Sequence, residues 1–346
     1  MSVMAVLRTR DPRLAAAGAA AAGTAGAAIA GKRAGLFGSN GDRAVDSDSE
    51  RIYRLRRKEP VAAGVRRIAL GRIDDAVEHL RGDGNPVEAV HEARKDTKKL
   101  RSLLRLVRPA LGDTVYRREN ERYRDAARLL SDVRDARVRL ETLDGLAARF
   151  TDEVSSSSFA SFRETLESEE REQGAADPRP AMRTAAAAVE TGRDRVGEWH
   201  LGDGEWVTVG GGLRRQYAQG RTAYRAAADD PSTEALHEWR KRVKDHWYHQ
   251  RLLRNCWREV LEPVAEATHG LADRLGDDHD LALLSEHAGD RPASFDDADE
   301  QMGLLELIDR RRAELQEEAF ELGARVYAEK PKALAYRYET LFAAWR

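Results

Sequence analysis

Residues 90–101 read VHEARKDTKKLR, and 146 positions later residues 236–244 read LHEWRKRVK. Aligned without a gap, the two windows share His91/His237, Glu92/Glu238, Arg94/Arg240, Lys95/Lys241 and Lys98/Lys244. At about 100° per residue, His91, Arg94, Lys98, Arg101 and Arg105 fall within an arc of roughly 80° on a helix. Val90, Ala93, Leu100, Leu103, Leu104 and Val107 gather on the other side, which reads as a core face. In the second window the stripe runs His237, Arg240, Lys244, then Trp247 in the place of Arg101, then Arg251. Like charges three and four residues apart repel by a few tenths of a kcal/mol per pair. A helix that needed only solubility would interleave glutamate on this face, and neither copy does. One such stripe is read most simply as a solvated face; two, each headed by histidine, point to a linear polyanion. Cations about 5–6 Å apart match a phosphate chain better than one small anion, with Arg offering paired hydrogen bonds and Lys a mobile charge.

Composition agrees with helix. Of 346 residues, 34% are charged and 6% aromatic, and prolines number 10, a profile that leans away from sheet. The balance of 58 basic against 60 acidic residues argues against a generally basic nucleic-acid binder. Yet Lys95, Lys98, Lys99, Lys241 and Lys244, more than half of the few lysines, fall in the two windows. A single cysteine, Cys256, permits no internal disulfide or thiolate metal cluster, and points to a reducing, cytoplasmic setting.

Helical periodicity predicts helices at 61–80, 87–107 (stopped by Pro109), 116–143 (with a break near Ser131), 155–173 (with serines able to cap it) and 181–200. Further helices are expected at about 212–228, 233–260, 262–275, 278–289, 301–328 and 331–345. EWVTVG (205–210) reads as a loop. The His-headed windows are not the only repeated landmarks. Gly-[Val/Leu]-Arg-Arg occurs at Gly64–Arg67 and Gly212–Arg215, and LLSDVRD (129–135) is matched by RLGDDHD (274–280), at nearly equal offsets. The chain therefore reads as two copies of one multi-helix unit, the first at about 55–174 and the second at about 180–345, joined at GAADPRP (174–180). Residues 1–50 form an Ala/Gly-rich N-terminal tail and linker. Residues 14–31 are uncharged between flanking cations, so the expectation is a low-complexity tail with weak membrane contact as the alternative.

Catalytic signatures are missing: no GxxxxGK[ST], GxSxG, HExxH or strand-borne GxGxxG. DDHDLALLSEH (277–287) offers Asp277, Asp278, His279, Asp280, Glu286 and His287, which a metal-dependent enzyme acting on phosphate compounds could use. The preferred reading is structural: Asp277 or Asp278 caps a helix, while Asp280, and Asp135 in the first half, hold cations of the stripes. HWYHQ (246–250) reads as packing rather than a ligand pair. Base-stacking aromatics are not interleaved with the stripes, which disfavours a nucleic-acid binder.

Together, the H-x-x-R-x-x-x-K-x-x-R helix, the repeated G-[VL]-R-R helix and the LG-x-x-x-D-like segment resemble the CHAD family, the conserved-histidine α-helical domains. Tyr217, Gly220 and Arg221 in LRRQYAQGR, and WYH (247–249), fit the same likeness, which spans about residues 55–345. The resemblance implies an all-α fold of two pseudo-symmetric four-helix units in one compact domain. It also implies non-enzymatic binding of inorganic polyphosphate between facing helices, association with polyphosphate granules, and no cofactor, metal or catalytic residue. The expected site is His91, Arg94, Lys98, Lys99, Arg101 and Arg105 facing His237, Arg240, Lys244 and Arg251. Arg66, Arg67, Arg214, Arg215 and Arg221 are expected on its flanks. Ser131 stands where the second copy has Gly276, and Asp245 and Trp247 stand where the first has Lys99 and Arg101, so the second half should be less cationic. The E-x-E-x-K strand of the triphosphate tunnel domains sometimes fused to this family is not found. Bound polyanion should protonate His91 and His237, tightening binding as pH falls.

Overall fold

Two sharp starts position the helices that matter here. Asn85 Oδ1 accepts the N–H of Val87 (2.9 Å), with Pro86 at the first helical position. Ser232 Oγ likewise accepts the N–H of Ala235 (3.3 Å). The computed structural model of the chain describes residues 53–130, 135–154, 158–202 and 204–346. The tail with its 14–31 segment and Ser131 lie outside these residues, as does the side chain of Asp135. Among the described residues every regular element is helical. None of their helices is long and apolar enough to cross a membrane.

In chain order these are α1 (Val61–Arg81), α2 (Pro86–Leu111), α3 (Asp113–Arg128), α4 (Asp135–Arg149), α5 (Ala160–Ala175), α6 (Arg179–Glu190) and the single turn α7 (Arg193–Val196). Then come α8 (Val207–Asp229), α9 (Thr233–Leu253), α10 (Arg258–Gly289), α11 (Ala298–Val326) and α12 (Pro331–Trp345). The main core is built from α1, α2, α3, α6, α8, α9, α12, the first half of α10 and the last turns of α11. A second core joins Leu143 and Leu146 of α4 and Phe162 and Leu166 of α5 to Leu281 and Leu284 of α10 and Leu304 and Ile308 of α11.

Several sequence expectations are corrected. α2 runs through Pro109 to Leu111, because a proline in the last turn forfeits only one intrahelical bond; Gly112, at φ 84°, ends it. Residues 258–289 form one helix through Pro263 and Gly276, not three, so Asp277 and Asp278 are mid-helix and cap nothing. Gly276 costs about 1 kcal/mol of helix propensity. A Cβ there would lie only 3.4 Å from Nε and Nη2 of Arg240, whose guanidinium lies over the glycine. The expected loop at 205–210 is helical from Val207. The glycines of VTVGGG, weak helix formers, allow α8 to cross α2: a Cβ on Gly212 would stand 1.6 Å from the Leu106 carbonyl oxygen. The cap residue of α5 is Phe159, not a serine, at φ 63°, its N–H donating to Glu300 Oε1 (2.8 Å). The helix expected over 181–200 stops at Glu190, with only α7 beyond it.

Candidate anion-binding groove

The apolar spacing of α2 decides which way its cations face. Val90, Ala93, Leu100, Leu103, Leu104 and Val107 are all fully buried, and so are Trp239 and Val243 on α9. The opposite faces carry the histidine-headed rows. The two helices meet beyond these rows: His249 Nε2 donates to the Ser102 carbonyl (2.9 Å), and Arg105 Nη1 donates to Asp245 Oδ1 (3.1 Å). From this junction their N-terminal halves run along a single groove of about 560 Å³.

His91, Arg94, Lys95 and Lys98 of α2 and His237, Arg240, Lys244 and Tyr248 of α9 line that groove. Val138 and Arg139 of α4 complete it, with His279, Asp280, Leu283, Glu286 and His287 of α10 and Asp290 just after it. Its permanent cations, Arg94, Lys95, Lys98, Arg139, Arg240 and Lys244, outnumber the carboxylates Asp280, Glu286 and Asp290, so the groove is positive before any histidine is protonated. Arg94 Nη1 donates to the Leu130 carbonyl at the end of α3 (2.9 Å), and Lys95 Nζ donates to Glu92 Oε1 (3.0 Å). His91 Nε2 lies 4.0 Å from the same carboxylate. On the other wall His237 and His279 lie ring against ring, with centroids 4.2 Å apart. Burial, then the charges of Lys241 and Arg240, hold His237 below the ordinary histidine range. Burial, then His237 itself, pushes His279 down to about 4. At the far end Glu169 of α5 gathers His287 Nε2 (3.0 Å), Arg139 Nη2 (3.2 Å) and Arg291 Nε (3.0 Å).

The acidic run at 277–280 is largely occupied. Asp278 Oδ1 accepts from Arg312 Nε (3.0 Å) and Gln316 Nε2 (2.8 Å). Burial, with Asp280 and Asp273 nearby, raises Asp277 to about 8, far above the usual carboxylate range. Among the described residues no group of three or more His, Cys, Asp or Glu side chains could hold a metal ion.

Six of the residues expected from the sequence meet in the groove: His91, Arg94, Lys98, His237, Arg240 and Lys244. The others do not line it. Lys99 is 3% exposed and sits 4.0 Å from Asp96. Arg101 turns to Asn120 (3.2 Å), where burial and then Arg105 push it down to about 10. Arg105 is tied to Asp245. Arg251 is 8% exposed, its guanidinium 4.7 Å from the Trp247 ring centre. The expected flanks fail for one reason: α1 and α8 pack on the apolar sides of the His-headed helices, away from the rows. Arg66 donates to the Trp199 carbonyl (2.6 Å), Arg67 forks onto Glu59 (2.8 Å), and Arg221 donates to the Tyr327 carbonyl (3.1 Å). Arg214 is exposed and Arg215 half-buried, neither on the groove. His279 and His287 were visible in the sequence only as an alternative metal cluster. Nothing in the sequence around Arg139 marks it out.

The family model of the CHAD domain matches residues 67–289. Among solved structures the chain is similar to the crystal structure of the CHAD domain from the plant Ricinus communis, at 15% identity and a TM-score of 0.49, covering 80% of this chain and 94% of that one. No curated protein matches the sequence.

Proposed function

The chain belongs to the CHAD family, and from that premise we propose that it binds inorganic polyphosphate along the groove between α2 and α9, without catalysing a reaction. One observation carries the proposal: two cation rows far apart in sequence line the same groove. Successive positions of each row stand about 5–6 Å apart, so a linear phosphate chain can engage both rows at once where a lone phosphate would meet only one or two cations. Salt-sensitive binding follows, because each engaged phosphate releases counterions. Granule association is part of the same reading, since a chain longer than the groove would tether the protein to the surface it came from.

Two observations weigh against the rival classes. A metal-dependent enzyme would need the carboxylates of 277–280, but Asp278 is held by Arg312 and Gln316, and burial raises Asp277 to about 8, which disfavours its ionised, ligating form. A single-strand binder would need large stacking surfaces, and among the described residues Tyr248 is the one Phe, Tyr or Trp of the groove lining. The deciding experiment measures affinity for long-chain polyphosphate and for single-stranded DNA, with and without magnesium, while following free phosphate. Polyphosphate is expected to bind at least roughly a hundredfold more tightly, with a steep salt dependence and no phosphate release. Preference for DNA, or magnesium-dependent release, would overturn the proposal.

A further inference from the structure

His237 of α9 and His279 of α10 are in ring contact on the groove wall, tilted by 33° at 4.2 Å, and the Nδ1 atoms of both are buried without a hydrogen-bond partner. Their surroundings are cationic. His237 is flanked on its own helix by Arg240 and Lys241, and Arg312 of α11 acts on His279 as well. Across the groove stand His91, Arg94, Lys95 and Lys98 of α2 and Arg139 of α4. The facing carboxylates are Glu238, shared between Lys241 (3.1 Å) and Arg242, Asp280 and Glu286 of α10, and Asp290 just after it, with His287 beside them. Two imidazolium rings this close would repel strongly. The pair therefore has room for at most one proton, and burial together with the neighbouring cations disfavours that proton.

We infer that the His237–His279 pair is a proton-accepting contact for the bound polyanion: filling the groove draws one proton from solvent onto the pair, and the imidazolium N–H then donates to a phosphate oxygen. The inference rests on the polyphosphate reading and assigns regulation to that site. Anionic oxygens within about 4–6 Å favour the charged ring by 1–3 pH units, which is enough to bring a depressed histidine back toward neutrality. His91 lies 4.0 Å from Glu92 and His287 3.0 Å from Glu169, so each stands beside a carboxylate, whereas His237 and His279 stand against each other. The site of uptake thus moves from the His91 and His237 pairing expected from sequence to His237 with His279. Binding raises the pair's affinity for protons, so polyphosphate affinity is greatest at low pH and falls as pH rises through the bound-state value.

Calorimetry of the full chain with long-chain polyphosphate, at pH 7 in buffers of different ionisation enthalpy, reads the uptake directly. The wild type is expected to take up about half a proton per filled groove at pH 7, rising toward one below it, and to lose affinity roughly tenfold from about pH 6 to pH 8. His279→Gln, with its fold checked by circular dichroism, is expected to lose more than half of that uptake and to flatten the pH dependence to less than about twofold. His237→Gln gives the same reading from the other ring should His279→Gln not fold. Polyphosphate binding with no proton uptake, or uptake unchanged when either ring of the pair is replaced, overturns the inference alone. Absence of binding in every buffer overturns the polyphosphate reading with it.

Discussion

α2 and α9 carry the same row of letters in different surroundings. At the groove end the copies match: His91, Arg94 and Lys98 on one wall, His237, Arg240 and Lys244 on the other. Behind the rows they have diverged. Where α2 has Ala93, α9 has Trp239, fully buried between Phe320 (5.4 Å) and Tyr224 (5.2 Å). Lys99 is answered by Asp245, and Arg101 by Trp247, on which Arg251 is stacked. Identity is kept where the helices face the groove, and divergence falls where α9 meets the core and crosses α2. The second copy has exchanged part of its cation stripe for aromatic packing, and one of its replacements, Asp245, now holds Arg105 of the first.

The largest effect should separate the copies by stability. Trp239→Ala is expected to cost about 3–5 kcal/mol, because the stacked indole would leave a cavity its rigid neighbours cannot close. Ala93→Gly, at the matching position, is expected to cost about 1 kcal/mol, chiefly through helix propensity. Chemical denaturation measures both. A Trp239→Ala loss no larger than that of Ala93→Gly would mean that α9 is no more a core helix than α2.

Much of this was legible in the sequence, because helical periodicity is a local property. The apolar face of α2 was read correctly residue by residue, since each position's side follows from its angle around the axis. The rows in the groove were legible for the same reason. Failures began where a residue's fate depends on another helix. Arg101, Arg105 and Arg251 lie on the stripe by angle, yet Asn120, Asp245 and Trp247 claim them. The arginines after Gly64 and Gly212 were read as charge, whereas at Gly212 it is the glycine that matters, by letting α8 cross α2. RLGDDHD looked like a turn because glycine and aspartate are helix-weak, but Arg240 over Gly276 and Arg312 on Asp278 hold it in mid-helix. Arg139 reaches the groove from a helix whose sequence shows no trace of the distant partners.

The next effect should erase the difference between copies. Arg94→Ala with Lys98→Ala, and separately Arg240→Ala with Lys244→Ala, are each expected to lower polyphosphate affinity about tenfold or more. Each lost phosphate contact should also flatten the salt slope by somewhat under one unit. Stability should change by less than about 0.5 kcal/mol at Lys98 and Lys244, and by about 1 kcal/mol at Arg94 and Arg240, whose guanidinium groups lie on the Leu130 carbonyl and over Gly276. Titrations at several salt concentrations test the pair. A loss confined to one double variant would make the groove one-sided and break the equivalence of the two rows.

The smallest effect concerns the tie between the copies and decides whether ligand follows the groove or the whole stripe. Arg105 and Asp245 are mostly but not wholly buried, their side chains 20% and 9% exposed. Their coupling should fall between that of a surface pair and a buried one, about 1 kcal/mol in a cycle of Arg105→Gln and Asp245→Asn. Because this guanidinium is held at the crossing and does not line the groove, Arg105→Gln should change polyphosphate affinity less than about twofold, within the ordinary scatter of peripheral charges. The stripe angle alone places Arg105 in line with His91, Arg94 and Lys98, and on that count its loss should weaken binding as much as the loss of either groove cation. An affinity loss of that size, alongside the expected coupling, would carry the polyanion past the junction and out along α2, making the first copy the longer half of the site.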